Sequence, residues 1–422
     1  MSEADRSRLT DQLKTKRAIV KSTQTRVVAL LSSAVLSIIS IHAEPDVTTV
    51  KLPYGGIRPQ VAIDRAGVVH IVQANSKTRG DLMYVKHTPG RKQFSDPVKV
   101  LREASGMAAS FNMTVGKDGR VHVFTRPNPK YSKKEMGAEA YDAMFKSKAR
   151  FFVLRYMLHS RLNDDGSAFE DETNIIGKTI GFEGAGAIVA DQNSAKVYAF
   201  WPGQTEPGPE MGRDMYMAVS EDEGKNWSVP RKLDIDIEGN CRCCPIQAIM
   251  DAKGNMYVVY RNSVRTSPGS WDKDTFLMVS KDAGKSWSKT MVQKWEKCGC
   301  PGALYSMASG ADGVYMGFST RGTSSFAKIG QSLKINAAPS SGKSSTRPMV
   351  ATNKNGDVLF CWVEVQDVVW QVYDRNGEAL PKGGGRLNGV AAKWSNAAVV
   401  ATASGDFVLY YDGHTPAKGA GG

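Results

Sequence analysis

From about residue 47 onward, apolar and polar positions alternate in short runs, broken every few residues by turn-forming residues. A period of two predicts half-buried β-strands rather than helices. One unit recurs. An apolar strand runs into a turn containing Asp, Asn or Lys together with Gly, and a second strand rich in Val, Tyr and other aromatics leaves it. Residues 61–72 show it around Asp64-Arg65-Ala66-Gly67. It returns at 112–124, 187–200, 247–260, 306–318, 349–362 and 396–411, with turns such as Lys117-Asp118-Gly119, Lys253-Gly254-Asn255 and Asn355-Gly356. Glycine at a left-handed turn position suits a hairpin. The pattern therefore predicts seven hairpins.

After most hairpins comes a third strand, a second kind of turn, and a short fourth strand such as 97–101. Two of these turns are near copies. They are Ser220-Glu221-Asp222-Glu223-Gly224-Lys225-Asn226-Trp227 and Ser280-Lys281-Asp282-Ala283-Gly284-Lys285-Ser286-Trp287. Both read Ser-x-Asp-x-Gly-x-x-Trp. Ser and Asp side chains bond backbone N–H groups in tight turns, Gly supplies positive φ, and the Trp is expected to fold back over its hairpin as an apolar plug. Residues 162–169 keep Asp164, Gly166 and Phe169 of the pattern, and 87–94 keeps only the aromatic.

This repeated octet resembles the Asp-box (BNR) repeat of sialidase-like β-propellers. The resemblance implies an all-β propeller of four-stranded antiparallel blades, an arrangement that leaves only short, protected edges. Hairpin counting predicts seven blades, whereas the sialidase resemblance implies six. The seventh hairpin lacks downstream strands, and residues 47–52 precede the first one, so the N-terminal strand is expected to complete the last blade and close the ring. Residues 131–148, rich in Ala, Met, Lys and Glu, predict one helical insertion between the second and third strands of blade 2. The propeller domain is expected over 44–415, followed by a Gly/Ala-rich flexible tail, 416–422.

The N-terminus has a different character. Residues 1–26 are polar and basic, 27–43 carry no Asp, Glu, Lys or Arg, and Ile41-His42-Ala43 ends in a small residue. This reads as a signal peptide cleaved after Ala43, with an uncleaved N-terminal anchor as the alternative. The expected destination is secreted or periplasmic. The chain holds 55 Lys+Arg against 42 Asp+Glu, a net charge of +13. A basic exported protein suits an acidic polysaccharide, although spread charge also simply maintains solubility. No Lys/Arg run interleaved with aromatics points to nucleic acid. No membrane contact beyond the N-terminal segment is expected, and the chain is read as a monomer.

Candidate chemistry lies in the loops that enter the first strand of each blade and those joining strands two and three. In sialidases that face holds the substrate. The resemblance implies three arginines clamping a substrate carboxylate, a tyrosine nucleophile beside a glutamate, and an aspartate acid/base. The matching candidates are Arg58, Arg261 and Arg347, with Tyr410 or Tyr411 as the tyrosine, Glu183 beside it and Asp81 as the acid. Arg58 resembles the arginine of the sialidase Arg-Ile-Pro motif, but here it follows Ile57 and directly precedes Pro59. Planar guanidinium groups pair bidentately with carboxylates. The Arg-Pro pair also recurs in blades 1 and 6, which suits blade scaffolding equally.

Six cysteines add a separate question. Cys241, Cys243 and Cys244 precede blade 4, Cys298 and Cys300 precede blade 5, and Cys361 sits mid-strand as a simple buried thiol. Clustered thiolates suit copper or zinc, inter-blade disulfides, or thiol–disulfide chemistry. All three stay open. The run 184–200, the second octet, Cys-x-Cys-Cys and Tyr257-Val258-Val259-Tyr260-Arg261 resemble a group of exported bacterial sialidase-like proteins of unassigned activity, over residues 58–411. That resemblance implies glycan recognition and exo-sialidase-type hydrolysis. The competing readings are a non-catalytic propeller that binds a glycan or protein, and a cysteine-cluster metal or redox protein.

Overall fold

The computed structural model describes residues 44–412 apart from 77–80, 103–110, 127–132, 135–136, 147–155, 181–183, 185, 207–211, 234, 236–238, 242–243, 268–269, 296–304, 321, 331–334, 340 and 394. The chain forms a seven-bladed β-propeller. Each recurring hairpin supplies the two inner strands of a blade. Blade 1 is Gly56–Ile63, Val69–Asn75, Leu82–His87 and Val98–Lys99, all antiparallel. Blades 2 to 6 repeat that order, beginning at Phe111–Val115, Ala187–Ala190, Gln247–Met250, Tyr305–Gly310 and Ser345–Thr352. The expected helix is present as Ala138–Lys146, between the second and third strands of blade 2.

Blade 7 closes the ring from both ends of the propeller. Ala398–Ala401 pairs with Phe407–Tyr411, and the N-terminal strand Val47–Lys51 adds to the latter. That last pairing is parallel, Val47 opposite Phe407 and Lys51 opposite Tyr411, so this blade has three strands. The strand reaches it without any covalent connection to blade 7. Burial of Val50, Leu52, Val69, Ile71, Val85, Ala398, Val400 and Tyr410 in one cluster then welds blade 7 to blade 1.

The two octets fold to one hydrogen-bond scheme. Ser220 Oγ donates to Asp222 Oδ1 at 2.8 Å and accepts from Gly224 N at 2.7 Å, while Asn226 N donates to Asp222 Oδ1 at 2.8 Å. Ser280, Asp282, Gly284 and Ser286 reproduce these contacts at 2.8, 2.8 and 2.9 Å. Two successive left-handed residues are required in each turn, Glu223-Gly224 and Ala283-Gly284. The tryptophans reach further than their own hairpins. Trp227 packs edge-on against His159 of blade 2 and Trp287 against Phe200 of blade 3, so each octet clamps its blade to the preceding one. Arginines complete the clamps. Arg161 donates to the Glu223 carbonyl at 2.9 Å, and Arg231 donates to the Gly284 carbonyl. The weaker matches at His87–Phe94 and Leu162–Phe169 each form an isolated antiparallel bridge at the corresponding turn.

Under the Trp227 clamp lie His122 and His159, fully buried, with Nδ1 of the first 3.2 Å from Nε2 of the second. Burial first, then Arg161, holds His159 at about 3. His122 is lowered by burial first, then by His159 and the arginines. Both rings are neutral packing elements at neutral pH.

Candidate functional site

The inner strands of all seven blades line a central channel of about 610 Å³. Its wall is cross-linked by side chains of those strands. Asn112 Nδ2 donates to Gln247 Oε1 at 2.8 Å, and Ser306 Oγ accepts from Val350 N at 3.0 Å. At the hairpin-turn end, Arg65 of blade 1 donates to Asn193 of blade 3.

At the entrances of blades 1 and 6 the inner strand carries the same irregularity. Pairing slips between Ile57 and Gln60 in one, and between Thr346 and Met349 in the other. Each slip accommodates one extra residue, a β-bulge. The bulged pairs are Arg58-Pro59 and Arg347-Pro348. Both arginines adopt left-handed φ, 53° and 56°. A Cβ-bearing residue pays about 1–2 kcal/mol there, and a following proline steers its predecessor toward extended conformations as well. Strain repeated at two equivalent positions marks a constrained, purposeful geometry.

Blade 7 lies between these two blades in the ring and supplies the hydrogen bonds that hold the blade 1 bulge. Ser395 Oγ accepts from Arg58 N at 2.7 Å and donates to Asp412 Oδ1 at 2.6 Å. Asp412 Oδ2 accepts from Ala392 N at 2.5 Å. Asn396 Nδ2 donates to the Pro59 carbonyl at 3.1 Å. The Asp412 carboxylate is buried, 1% exposed. Arg347 feels three influences. Burial lowers its pKa most, Arg58 lowers it further, Asp412 pulls it back, and the result is about 10. Arg58 and Asp412 are thus the two charged groups that act on Arg347, in opposite directions. Guanidinium groups pair bidentately with carboxylates and sulfates, which makes Arg58 and Arg347 the candidate anion-binding residues of this end of the ring.

The remaining candidates go elsewhere. Arg261 is 1% exposed and committed within blades 4 and 5. Its Nε donates to Tyr305 Oη at 2.5 Å and its Nη1 to the Lys273 carbonyl at 2.8 Å, with the guanidinium 5.0 Å over the Trp295 ring. These contacts tie Arg261 to blades 4 and 5, whereas Arg58 and Arg347 stand at the entrances of blades 1 and 6. Tyr410 is fully buried in the blade 7–blade 1 cluster, its hydroxyl 2.8 Å from His87 Nδ1, and burial raises its pKa. A strand residue facing the neighbouring blade has its hydroxyl in the core rather than at a substrate. Asp81 is half-buried before the third strand of blade 1, its carbonyl accepting from Asn75 N at 2.9 Å; the charges acting on Arg347 are Arg58 and Asp412, not Asp81. Glu183 lies outside the described residues. Ser395, Asn396 and Asp412 were not among the sequence candidates, and their only signal was polar residues bracketing the last hairpin.

Of the clustered cysteines, Cys241 and Cys244 are described, while Cys243, Cys298 and Cys300 lie outside the described residues. Among the described residues no group of three or more His, Cys, Asp or Glu side chains is placed to hold a metal ion. Cys361 is buried mid-strand, and burial pushes its thiol up. Among the described residues no helix is long and apolar enough to cross a membrane.

No protein-family model matches the chain, and no curated protein matches it in sequence. Solved structures do resemble it. An ulvan lyase bound to -[GlcA(1-4)Rha3S]- is 13% identical with a TM-score of 0.50, covering 83% of this chain and 89% of its own. The Penicillium chrysogenum α-L-arabinanase bound to arabinobiose is 13% identical, TM-score 0.49, covering 80% and 100%. The leech intramolecular trans-sialidase bound to 2,7-anhydro-Neu5Ac is 12% identical, TM-score 0.45, covering 79% and 68%. At such identities the likeness is one of fold alone, the one this chain shares with the ulvan lyase.

Proposed function

We propose that this protein is an exported propeller that recognises an acidic glycan through Arg58 and Arg347. The observation that carries the reading is the pair of strained Arg-Pro bulges at the entrances of blades 1 and 6, on either side of blade 7, with Arg347 under the charges of both Arg58 and the buried Asp412. A scaffold role alone needs the prolines and the bulge; it does not need an arginine at both bulges. The same fold holds a glucuronate- and sulfate-bearing polymer in the ulvan lyase, which supports a sugar acid or sulfated sugar as the ligand. Export rests on the basic residues 1–26 and the uncharged residues 27–43. With Tyr410 in the core, we read the site as recognition first.

The test is calorimetric titration of the protein with glucuronate- and sulfate-bearing oligosaccharides, sialyllactose and neutral controls. Each charge-assisted contact contributes about 1.5–3 kcal/mol, so Arg58→Ala or Arg347→Ala should weaken binding about 10- to 100-fold. Unchanged affinity in both variants, or equal binding of neutral sugars, overturns the proposal. Release of reducing sugar in the same samples reports whether hydrolysis accompanies binding.

A further inference from the structure

Where the chain enters blade 4, Cys241 and Cys244 stand three residues apart, the spacing of thiol–disulfide pairs. Cys241 is 0% and Cys244 3% exposed, and their sulfurs are 3.5 Å apart. Around them is a built polar pocket. Lys273 Nζ, on a residue 7% exposed, donates to Ser263 Oγ at 2.7 Å and reaches Cys241 Sγ at 3.6 Å. The Lys273 carbonyl accepts from Arg261, whose own carbonyl accepts from Cys241 N at 2.9 Å. Arg261 in turn donates to the Tyr305 hydroxyl, which lies 3.2 Å from Thr275 Oγ1. Backbone and side chains thus hold Cys241 in place beside Cys244, at the junction of blades 4 and 5.

We propose that Cys241 and Cys244 are joined in the exported protein by a disulfide that staples the entrance of blade 4. The pair is already in van der Waals contact, so bond formation needs only a small local approach of the two sulfurs. A metal is the competing use of two thiolates. A structural zinc site takes four protein ligands, and among the described residues no third His, Cys, Asp or Glu is placed to join these two thiolates around a metal ion. A disulfide needs only the two sulfurs. The reaction is two-electron exchange with a low-molecular-weight disulfide, such as oxidised glutathione. One cysteine thiolate attacks that disulfide and expels one thiol, giving a mixed disulfide. The second cysteine thiolate then attacks the protein sulfur and expels the other thiol. Two cysteine S–H bonds are lost, one S–S bond forms, and the two protons and two electrons leave in the two small thiols. Because both sulfurs are buried, the exchange belongs to folding, before blade 4 closes over them.

The sequence offers a direct test, since Arg242 lies between the two cysteines. Trypsin cleavage after Arg242 separates Cys241 from Cys244, so a disulfide holds the two peptides together until reduced. The full chain is refolded in reduced and oxidised glutathione, quenched with N-ethylmaleimide in denaturant, digested and weighed. A parallel sample carries Cys243→Ser, which removes the neighbouring thiol as an alternative partner. The expected result is the linked pair in both proteins, lost on reduction and absent from Cys244→Ser. Three outcomes overturn the proposal: alkylation of both Cys241 and Cys244 after oxidative refolding, linkage of either one to Cys298 or Cys300, or stoichiometric zinc or copper in the refolded protein. Circular dichroism of the Cys243→Ser and Cys244→Ser proteins checks that each has folded.

Discussion

Asp412→Asn separates charge from hydrogen bonding at the arginine pair. The asparagine oxygen still accepts from Ala392 N, and its amide group turns toward the Ser395 hydroxyl, which accepts as readily as it donates. The contacts that Asp412 makes at 2.5 and 2.6 Å are therefore retained in kind, and what disappears is the buried negative charge facing Arg347. A buried charge whose partner is neutralised costs about 1–3 kcal/mol or more. With unfolding entropy near 2.1 cal/mol/K per residue over ~370 residues, that corresponds to a fall in melting temperature of about 1–4 °C. The same change removes the carboxylate that competes with a ligand, so anion affinity should rise. Sulfate at 100 times its dissociation constant would then restore about 2.7 kcal/mol. The assay is differential scanning calorimetry of wild type, Asp412→Asn and Asp412→Ala, each with and without sulfate or glucuronate. Asp412→Ala should be the least stable, because it also leaves Ser395 and Ala392 without their acceptor. An Asp412→Asn protein as stable as wild type, with unchanged sulfate response, would refute the placement of Asp412 as counter-charge to the arginines.

Other expectations are equally specific. Arg58→Ala and Arg347→Ala should each lower acidic-glycan affinity, read by titration as above, and oxidative refolding should link Cys241 to Cys244 in the tryptic map. Tyr410→Phe removes a buried hydroxyl from His87 Nδ1, costing about 1–3 kcal/mol in denaturant titrations while leaving glycan binding intact; loss of binding at unchanged stability would contradict its burial. Stability should also fall on acidification. His159 is depressed from 6.5 to about 3, so the unfolded chain takes up a proton below pH 6.5 that the folded protein refuses. The contribution is present above pH 6.5 and is lost as pH falls toward 3, at up to about 1.4 kcal/mol per pH unit. Urea melts of His159→Gln between pH 6.5 and 4 should show a correspondingly flatter slope, and an unaltered slope would count against the buried neutral pair.

Much of the fold was legible because its determinants are local. Hairpin turns such as Asp251-Ala252-Lys253-Gly254-Asn255 are closed by side chains that reach two to four residues along the chain. The octets are the same kind of object, with Ser280, Asp282, Gly284 and Ser286 satisfying one another inside a single turn. A period of two identifies strands, and seven repeats of one hairpin identify a radial array whose last blade must borrow its outer strand from the N-terminus. The parallel direction of that borrowed strand was not readable, because no turn joins it to its neighbour.

The site was decided by tertiary structure. Arg58 and Ser395 are 337 residues apart, and only ring closure puts them within 2.7 Å. The Arg-Pro pairs set Arg58 and Arg347 apart from Arg261 in sequence, yet nothing local showed that Arg347 would feel Arg58 and Asp412 while Arg261 is locked between Tyr305, Trp295 and the Lys273 carbonyl. Tyr410 shows the same limit. Alternation says that one of Tyr410 and Tyr411 faces inward, but which blade covers that face is set by packing, and packing gave Tyr410 to His87 and the core. Turn chemistry acts over a few residues and is written in order along the chain. Convergence of charge depends on the rotation between blades and on which side chains burial leaves exposed, and those are properties of the closed ring.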